Sequence, residues 1–177
     1  MLPETPRLAL RELRDGDVGA LHLALGDAEA MVAYEHGFSE RETRDWIARQ
    51  RQRYETDGFG LWGVELRGGG MLLGDCGLTR QLVNDREVLE VGYHLRRDRW
   101  GHGYASEAAR ACVRWAFTHL DAPEVWAIVR DTNLASMNVA IRCGMTVRER
   151  IVKRYRGKNM PHLCFAISRA EFDKMER

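Results

Sequence analysis

The stretch RWGHGYASEAARACVRWAF, Arg99 to Phe117, sets two glycines, Gly101 and Gly103, directly before a strong helix. Within that helix Ala105, Ala108, Ala109, Cys112, Val113, Ala116 and Phe117 recur at steps of three and four. Glu107, Arg110 and Arg114 fall on the other side. This is a single apolar stripe, and it reads as core packing. The start of the helix is more informative. The first turn of any helix has backbone N–H groups without partners and the positive end of the dipole. Glycines let a ligand approach such a main chain closely, so the segment Trp100–Ala105 can act as a phosphate cradle. A tight strand-to-helix turn is the alternative use of the same residues.

The flanking chain reads as strands and helices in alternation. Arg7 to Leu13 alternates and predicts a strand, and Asp17 to Leu25 a short helix. Ser39 and Glu42 form a capping box that starts a helix carrying Trp46, Ile47 and Tyr54 on one side. Phe59 to Leu66 and Met71 to Thr79 are predicted strands around the RGGG turn, and Val88 to Leu95 follows a turn at Asn84-Asp85. After the glycine segment come a strand at Val125–Val129, a helix at Leu134–Cys143 ended by Gly144, and strands at Val147–Lys153 and Leu163–Ile167. The order predicts an α/β protein with a mixed, mostly antiparallel sheet of six to seven strands flanked by about four helices.

Bulk properties narrow the classes of function. A chain of 177 residues can bury a sizeable core and is expected to form one domain over 1–177. The 27 Lys and Arg nearly balance the 26 Asp and Glu, which argues against a nucleic-acid binder driven by positive charge. No segment approaches the ~20 apolar residues of a membrane span. The start, MLPETPRLALREL, has no long apolar run, and the expected location is cytoplasmic. Cys76, Cys112, Cys143 and Cys164 lie apart among apolar residues and are expected to be buried thiols. Histidine spacing gives no metal motif, so no metal is expected.

Nucleotide-binding patterns can be compared directly with the glycine segment. A dinucleotide fold places G-x-G-x-x-G near the first strand, whereas here Ser106 fills the third position halfway along the chain. A P-loop needs a lysine that is absent. The run ETPRLALREL, the strand EVGYHL, the loop WGHGYASEA, and NLAS followed by CGM together resemble the GNAT superfamily of acetyl-CoA-dependent N-acetyltransferases. Within it, the branch of ribosomal-protein N-terminal acetyltransferases is the most similar in order and spacing. The resemblance covers nearly the whole chain.

That resemblance implies a set of roles. Trp100, Gly101, His102, Gly103, Tyr104 and Ala105 would bind the pyrophosphate of acetyl-CoA, mainly through backbone amides. The strand holding Leu95 would splay from the strand near Val129 and leave a cleft for the pantetheine arm, with the Leu95 backbone at the acetyl group. Asn133 would hydrogen-bond the CoA chain. Asp98 stands where the superfamily often has Gln or Arg, so it is expected to point away, with Arg96, Arg97 or Arg99 supplying charge. Ala140 occupies the position of a tyrosine that many members use as proton donor, so that role is not carried over.

Acetyl transfer to an amine needs a base, a polarised carbonyl and a proton for the thiolate. Glu90, on the strand face shared by Val88, Gly92 and His94, is the expected base, a solvated or salt-bridged carboxylate being the alternative. The resemblance implies Ser136 as the acid, a helix cap being its alternative use. Tyr34, Glu35 and His36, between the first two helices, and His94, on the Glu90 face, are candidate acceptor-binding residues. His162 is read as a surface histidine that could reach the same cleft. The expected partners are acetyl-CoA and a primary amine, either a protein N-terminus or a small molecule, with the protein a monomer or homodimer. A catalytically weak acyl-CoA-binding module is the competing reading.

Overall fold

The computed structural model describes residues 1–34, 36–155 and 157–177. Among them are seven strands: β1 (Leu8–Arg11), β2 (Leu61–Leu66), β3 (Leu72–Val83), β4 (Arg86–Leu95), β5 (Glu124–Arg130), β6 (Thr146–Tyr155) and β7 (Lys158–Ser168). The helices are α1 (Val18–Leu25), α2 (Glu40–Thr56), α3 (Tyr104–His119), α4 (Leu134–Arg142) and α5 (Arg169–Met175). All strands join one sheet in the order β1-β2-β3-β4-β5-β7-β6. Every neighbouring pair is antiparallel except β4 and β5.

Side-chain alternation along the strands builds a core on each face of the sheet. Leu61 and Leu72 pack with Leu21, Leu25, Trp46 and Ile47 under α1 and α2. Their chain neighbours Trp62 and Leu73 turn to the other face and join Ala108, Cys112, Ala116 and Phe117 of α3. The apolar stripe predicted for α3 is therefore its buried face. All four cysteines are buried free thiols, as expected, and Cys76 Sγ lies 3.7 Å from Cys112 Sγ.

The turns explain where the strands exceed their predicted lengths. Asn84 and Asp85 both have left-handed φ, 48° and 61°, and close a two-residue hairpin in which Val83 faces Arg86. Such a turn zips the ladder up to itself, so polar residues beyond Thr79 join β3 although Leu82 is exposed. The hairpin between β6 and β7 likewise pairs Tyr155 with Lys158, extending both strands beyond their apolar cores. Helix α5 was not anticipated from periodicity because it is short. Its signal is Ser168 with Glu171, a second capping box.

The predicted capping box at α2 is present. Ser39 Oγ accepts from the Glu42 N–H at 3.2 Å, and Glu42 Oε2 accepts from the Ser39 N–H at 2.8 Å. The Ser39 N–H, then His36, then the Ser39 hydroxyl hold the Glu42 carboxyl down at about 2. A depressed acid contributes stability above its unfolded pKa and loses it as pH falls through the folded one. Ser39→Ala is thus expected to lower the melting temperature by about 2–4 °C, the scale of one lost cap in a chain this size. The lost bond from the Glu42 N–H to Ser39 Oγ does not titrate, and the variant keeps the Ser39 N–H and His36 contacts to Glu42. The gap should therefore largely persist as pH falls towards about 2 and narrow only by the share of the Ser39 hydroxyl–Glu42 contact, read by thermal melts across that range.

Candidate functional site

Strands β4 and β5 share a single in-register pair, Glu90 with Trp126. Strands β3 and β4, by contrast, stay paired from Gly74–Leu95 to Val83–Arg86. Beyond Glu90 the parallel pair opens, and a cavity of about 710 Å³ fills the gap. Its lining includes Gly101, Gly103, Tyr104 and Ala105 next to α3, Asn133 and Ser136 on α4, and Tyr34, Trp46 and His94 towards α2. The opening therefore reaches both faces of the sheet. The splay expected near Leu95 and Val129 is present, and both residues line it.

At the α3 end, Gly101 and Gly103 have φ of 78° and 79°, left-handed values that favour glycine. This is why the backbone is bare twice. Gly103 is the N-cap of α3 and offers no capping side chain, so the first N–H groups of the helix are left for another acceptor. The Trp100 N–H differs from the rest of the segment: it donates to the Arg97 carbonyl at 3.1 Å and is spent inside the turn. The Trp100 indole N–H donates to the Leu95 carbonyl at 2.8 Å and ties the loop to the end of β4. His102 stacks on Tyr104 at 5.5 Å and does not line the cavity.

Arg7 braces this loop from the far edge of the sheet. Its Nη1 donates to the His102 carbonyl at 3.0 Å, its Nε bridges to Glu107 at 2.6 Å, and its guanidinium covers the Tyr104 ring. Asp98 is half exposed and paired with Arg96 at 2.9 Å, so it turns away as expected. Arg97 is bound to Asp27 and Glu29. Of the three arginines considered, Arg99 is the one that lines the cavity, and its Nε lies 3.5 Å from Oδ2 of Asp98.

Helix α4 borders the cleft through its first turn. Asn133 is the N-cap, accepting the Ser136 N–H on Oδ1 at 3.0 Å. Ser136 thus lies one turn inside, which excludes the alternative that it caps the helix. Its hydroxyl donates to the Tyr93 hydroxyl at 3.0 Å, and the Tyr93 hydroxyl donates to the Ser136 carbonyl at 2.8 Å. Ala140 is buried in the α3 core. Tyr93, on β4, places a phenol beside Ser136. Sequence reading missed it, because alternation put it on the face opposite Glu90.

Glu90 sits at the apex of the split. Its Oε1 accepts from the Ile128 N–H at 3.3 Å and its Oε2 meets the Thr79 hydroxyl at 3.5 Å, both long contacts. Burial raises its pKa, opposed by Lys153, the Ile128 N–H, His94 and Thr79. His94 Nδ1 lies 2.8 Å from Oδ1 of Asp75, and Oδ2 of Asp75 accepts from the Trp46 indole N–H at 2.7 Å. Asp75 is wholly buried. It too escaped the sequence reading, although a lone acid in the apolar run LLGDCGL was a usable signal.

The remaining candidates divide. Tyr34 lines the cavity and packs edge-on against Trp46 at 5.9 Å. Glu35 lies outside the described residues. His36 is not part of the lining; it lies 3.1 Å from Glu42 and 2.9 Å from the Tyr34 carbonyl, beside the α2 capping box. His162 is buried rather than on the surface, lines the cavity, and has its pKa lowered by burial. The β5–β7 pairing turns it inward, opposite Arg130.

Comparison with known proteins places this architecture. The family described as "Acetyltransferase (GNAT) domain" matches residues 7–146. The protein YkkB of Bacillus subtilis is 35% identical over 150 residues, covering 84% of this chain and 87% of its own. A GNAT-family acetyltransferase from Bacillus anthracis superposes with a TM-score of 0.82 at 22% identity, over 95% of this chain and 98% of that one. RimL, a ribosomal L7/L12 α-N-protein acetyltransferase solved in complex with coenzyme A, superposes at 0.73 with 17% identity, covering 95% and 98% of the two chains. With a family match across most of its length and a split sheet of this form, the chain belongs to the GNAT acetyltransferases and is an acyltransferase.

Proposed function

We propose that the protein transfers the acetyl group of acetyl-CoA to a primary amine by direct attack in a ternary complex. The observation that carries this reading is the cleft that crosses the sheet. Uncapped amide donors lie at one end and proton-accepting side chains at the other. A chain with a negatively charged pyrophosphate at one end and a thioester at the other suits that polarity.

In this reading the amides of Gly101, His102, Gly103, Tyr104 and Ala105 hold the pyrophosphate, with Arg99 adding charge. The open edges of β4, up to Leu95, and of β5 pair with the amides of the pantetheine arm, and Asn133 hydrogen-bonds it from α4. The amine enters past Tyr34 and His94. Its nitrogen attacks the thioester carbon, Glu90 takes a proton from that nitrogen, and the carbon–sulfur bond breaks. Ser136, backed by Tyr93, gives a proton to the departing thiolate. Holding amine and thioester together supplies much of the acceleration.

Two experiments test the reading. Gly101→Val and Gly58→Val place a side chain at the same left-handed backbone, with open space around each added Cβ. Both should lower the melting temperature similarly, whereas calorimetry should show weakened CoA binding for Gly101→Val alone. Equal CoA affinity in the two variants would restrict Gly101 to the turn.

The second concerns the proton transfers. Glu90→Gln should reduce kcat/KM by about 100-fold, the low end of general-base effects, with CoA affinity kept. Ser136→Ala should lower kcat while leaving CoA affinity and melting temperature nearly intact, because Asn133 is the cap. Unchanged turnover in either variant removes that residue from the mechanism.

A further inference from the structure

Asp75 is an expensive residue to bury. It is fully enclosed on β3, and an ionised carboxyl removed from water costs several kcal/mol unless its oxygens find donors. Here each oxygen has one: the Trp46 indole N–H on Oδ2 at 2.7 Å, and His94 Nδ1 on Oδ1 at 2.8 Å. Asp75 and His94 are direct cross-strand partners in the β3–β4 register, so the pair is built into the sheet. The indole can only donate, which fixes how Oδ2 is used. In the neutral ring, a carboxylate accepting on both oxygens selects the tautomer with its proton on Nδ1 and its lone pair on Nε2. Nε2 has no hydrogen-bond partner among the described residues, and the ring lines the cavity with 13% of its side chain exposed.

We propose that His94 takes the first proton from the acceptor's ammonium group, and that Asp75 and Trp46 are positioning residues for it. The proposal rests on the acetyl-transfer reading and deepens it. An alkylamine arrives protonated, and two protons must leave its nitrogen before the amide is complete. In the first step an ammonium N–H bond breaks, its electron pair stays on nitrogen, and an Nε2–H bond forms. The Asp75 carboxylate stabilises the resulting imidazolium. In the second step the nitrogen, now bonded to carbon, gives its other proton to Glu90. That proton balances the one delivered to the thiolate through Ser136, and the proton on His94 passes to solvent. His94 and Glu90 share a face of β4 four residues apart, roughly 13 Å between α-carbons at ~3.3 Å per residue. This suits successive roles better than a shared one.

The charged and titratable groups around His94 are defined. Besides Asp75, they are Tyr34 at 5.9 Å between ring centroids, Glu90 on its own strand, and Arg49 and Arg53 on α2. Lys153, Arg154, Tyr155 and His162 line the same cavity from β6 and β7, and Glu29, Arg99, Arg130 and Arg142 line it from the other elements. On α1 the one titratable side chain, His22, lies 3.1 Å from Thr43 Oγ1.

The test uses two acceptors, an alkylamine protonated at neutral pH and a weakly basic amine already neutral there. His94→Gln and Asp75→Asn are compared with wild type and with Glu90→Gln by pH–rate profiles of kcat/KM. With the alkylamine, His94→Gln should lose about 100-fold at neutral pH and recover towards wild type as the free amine accumulates at high pH. Asp75→Asn should show the same profile, because an amide facing Nδ1 donates to it and moves the ring proton to Nε2. With the weakly basic amine the pH-dependent loss should disappear in both variants, leaving only a pH-independent change in KM from the altered lining, while Glu90→Gln stays impaired in kcat. Melting temperature and CoA affinity check folding, and His94→Gln, facing the cavity, carries the test if Asp75→Asn does not fold. A loss that is equal for both amines, or no loss with the alkylamine, overturns the proposal and leaves acetyl transfer standing. No amine-dependent thiol release by the wild-type protein with either acceptor overturns both.

Discussion

Strands β4 and β5 run parallel and hold together at one point, Glu90 with Trp126, before they part. A parted pair inside a protein leaves main-chain donors and acceptors without a ladder, and each unmet buried group costs about 1–3 kcal/mol. The fold meets that cost locally in two places. The Glu90 carboxylate reaches across the split to the Ile128 N–H, and the Trp100 indole takes the Leu95 carbonyl at the other end of β4. What lies between is an edge on each strand with amides to offer. A ligand carrying its own amides can complete both edges, as an added strand would.

The same split orders the parts around it. Because β5 leaves β4, the helices on either side of it, α3 and α4, present their first turns to the gap rather than to the core. Gly103 leaves the start of α3 uncapped, whereas Asn133 closes the start of α4 and fixes Ser136 beside Tyr93. The loop into α3 is not left to its own flexibility. Arg7 holds it through the His102 carbonyl, Glu107 and the Tyr104 ring, so the residue leading into β1 stabilises a loop almost a hundred residues later. The run ETPRLALREL is therefore part of the site's scaffold although it does not line the main cavity.

Local signals in the sequence carried most of the fold. The α2 capping box, the Asn84-Asp85 turn and the α3 stripe each depend on residues within a turn or two of one another, and each is present. Strand ends were less legible, because ladder pairing extends past the apolar residues that marked them. At the site, glycine spacing located the loop and strand alternation located Glu90 and His94. The pairs that cross the chain were not legible: Asp75 with His94, Ser136 with Tyr93, and Arg7 with His102 are separated by 19, 43 and 95 positions. Periodicity says which face a side chain takes. It does not say which partner, brought by another strand or helix, waits on that face.

Glu90, in the cavity lining, and Asp75, enclosed behind His94, differ in the partners the fold brings to them. Asp75 has a donor on each oxygen at hydrogen-bonding distances below 3 Å, so its contacts are already complete. Glu90 is held at 3.3 and 3.5 Å, and burial pushes its pKa up. A carboxyl whose contacts are short and complete is held in place and holds its donors in place in turn. One whose contacts are long gives up little when it gains a proton. The difference arises from position in the sheet: Asp75 sits where β3 and β4 are fully paired under Trp46, and Glu90 sits where pairing ends. Short, complete contacts thus belong to the closed part of the sheet and long ones to the part that opens onto the cavity.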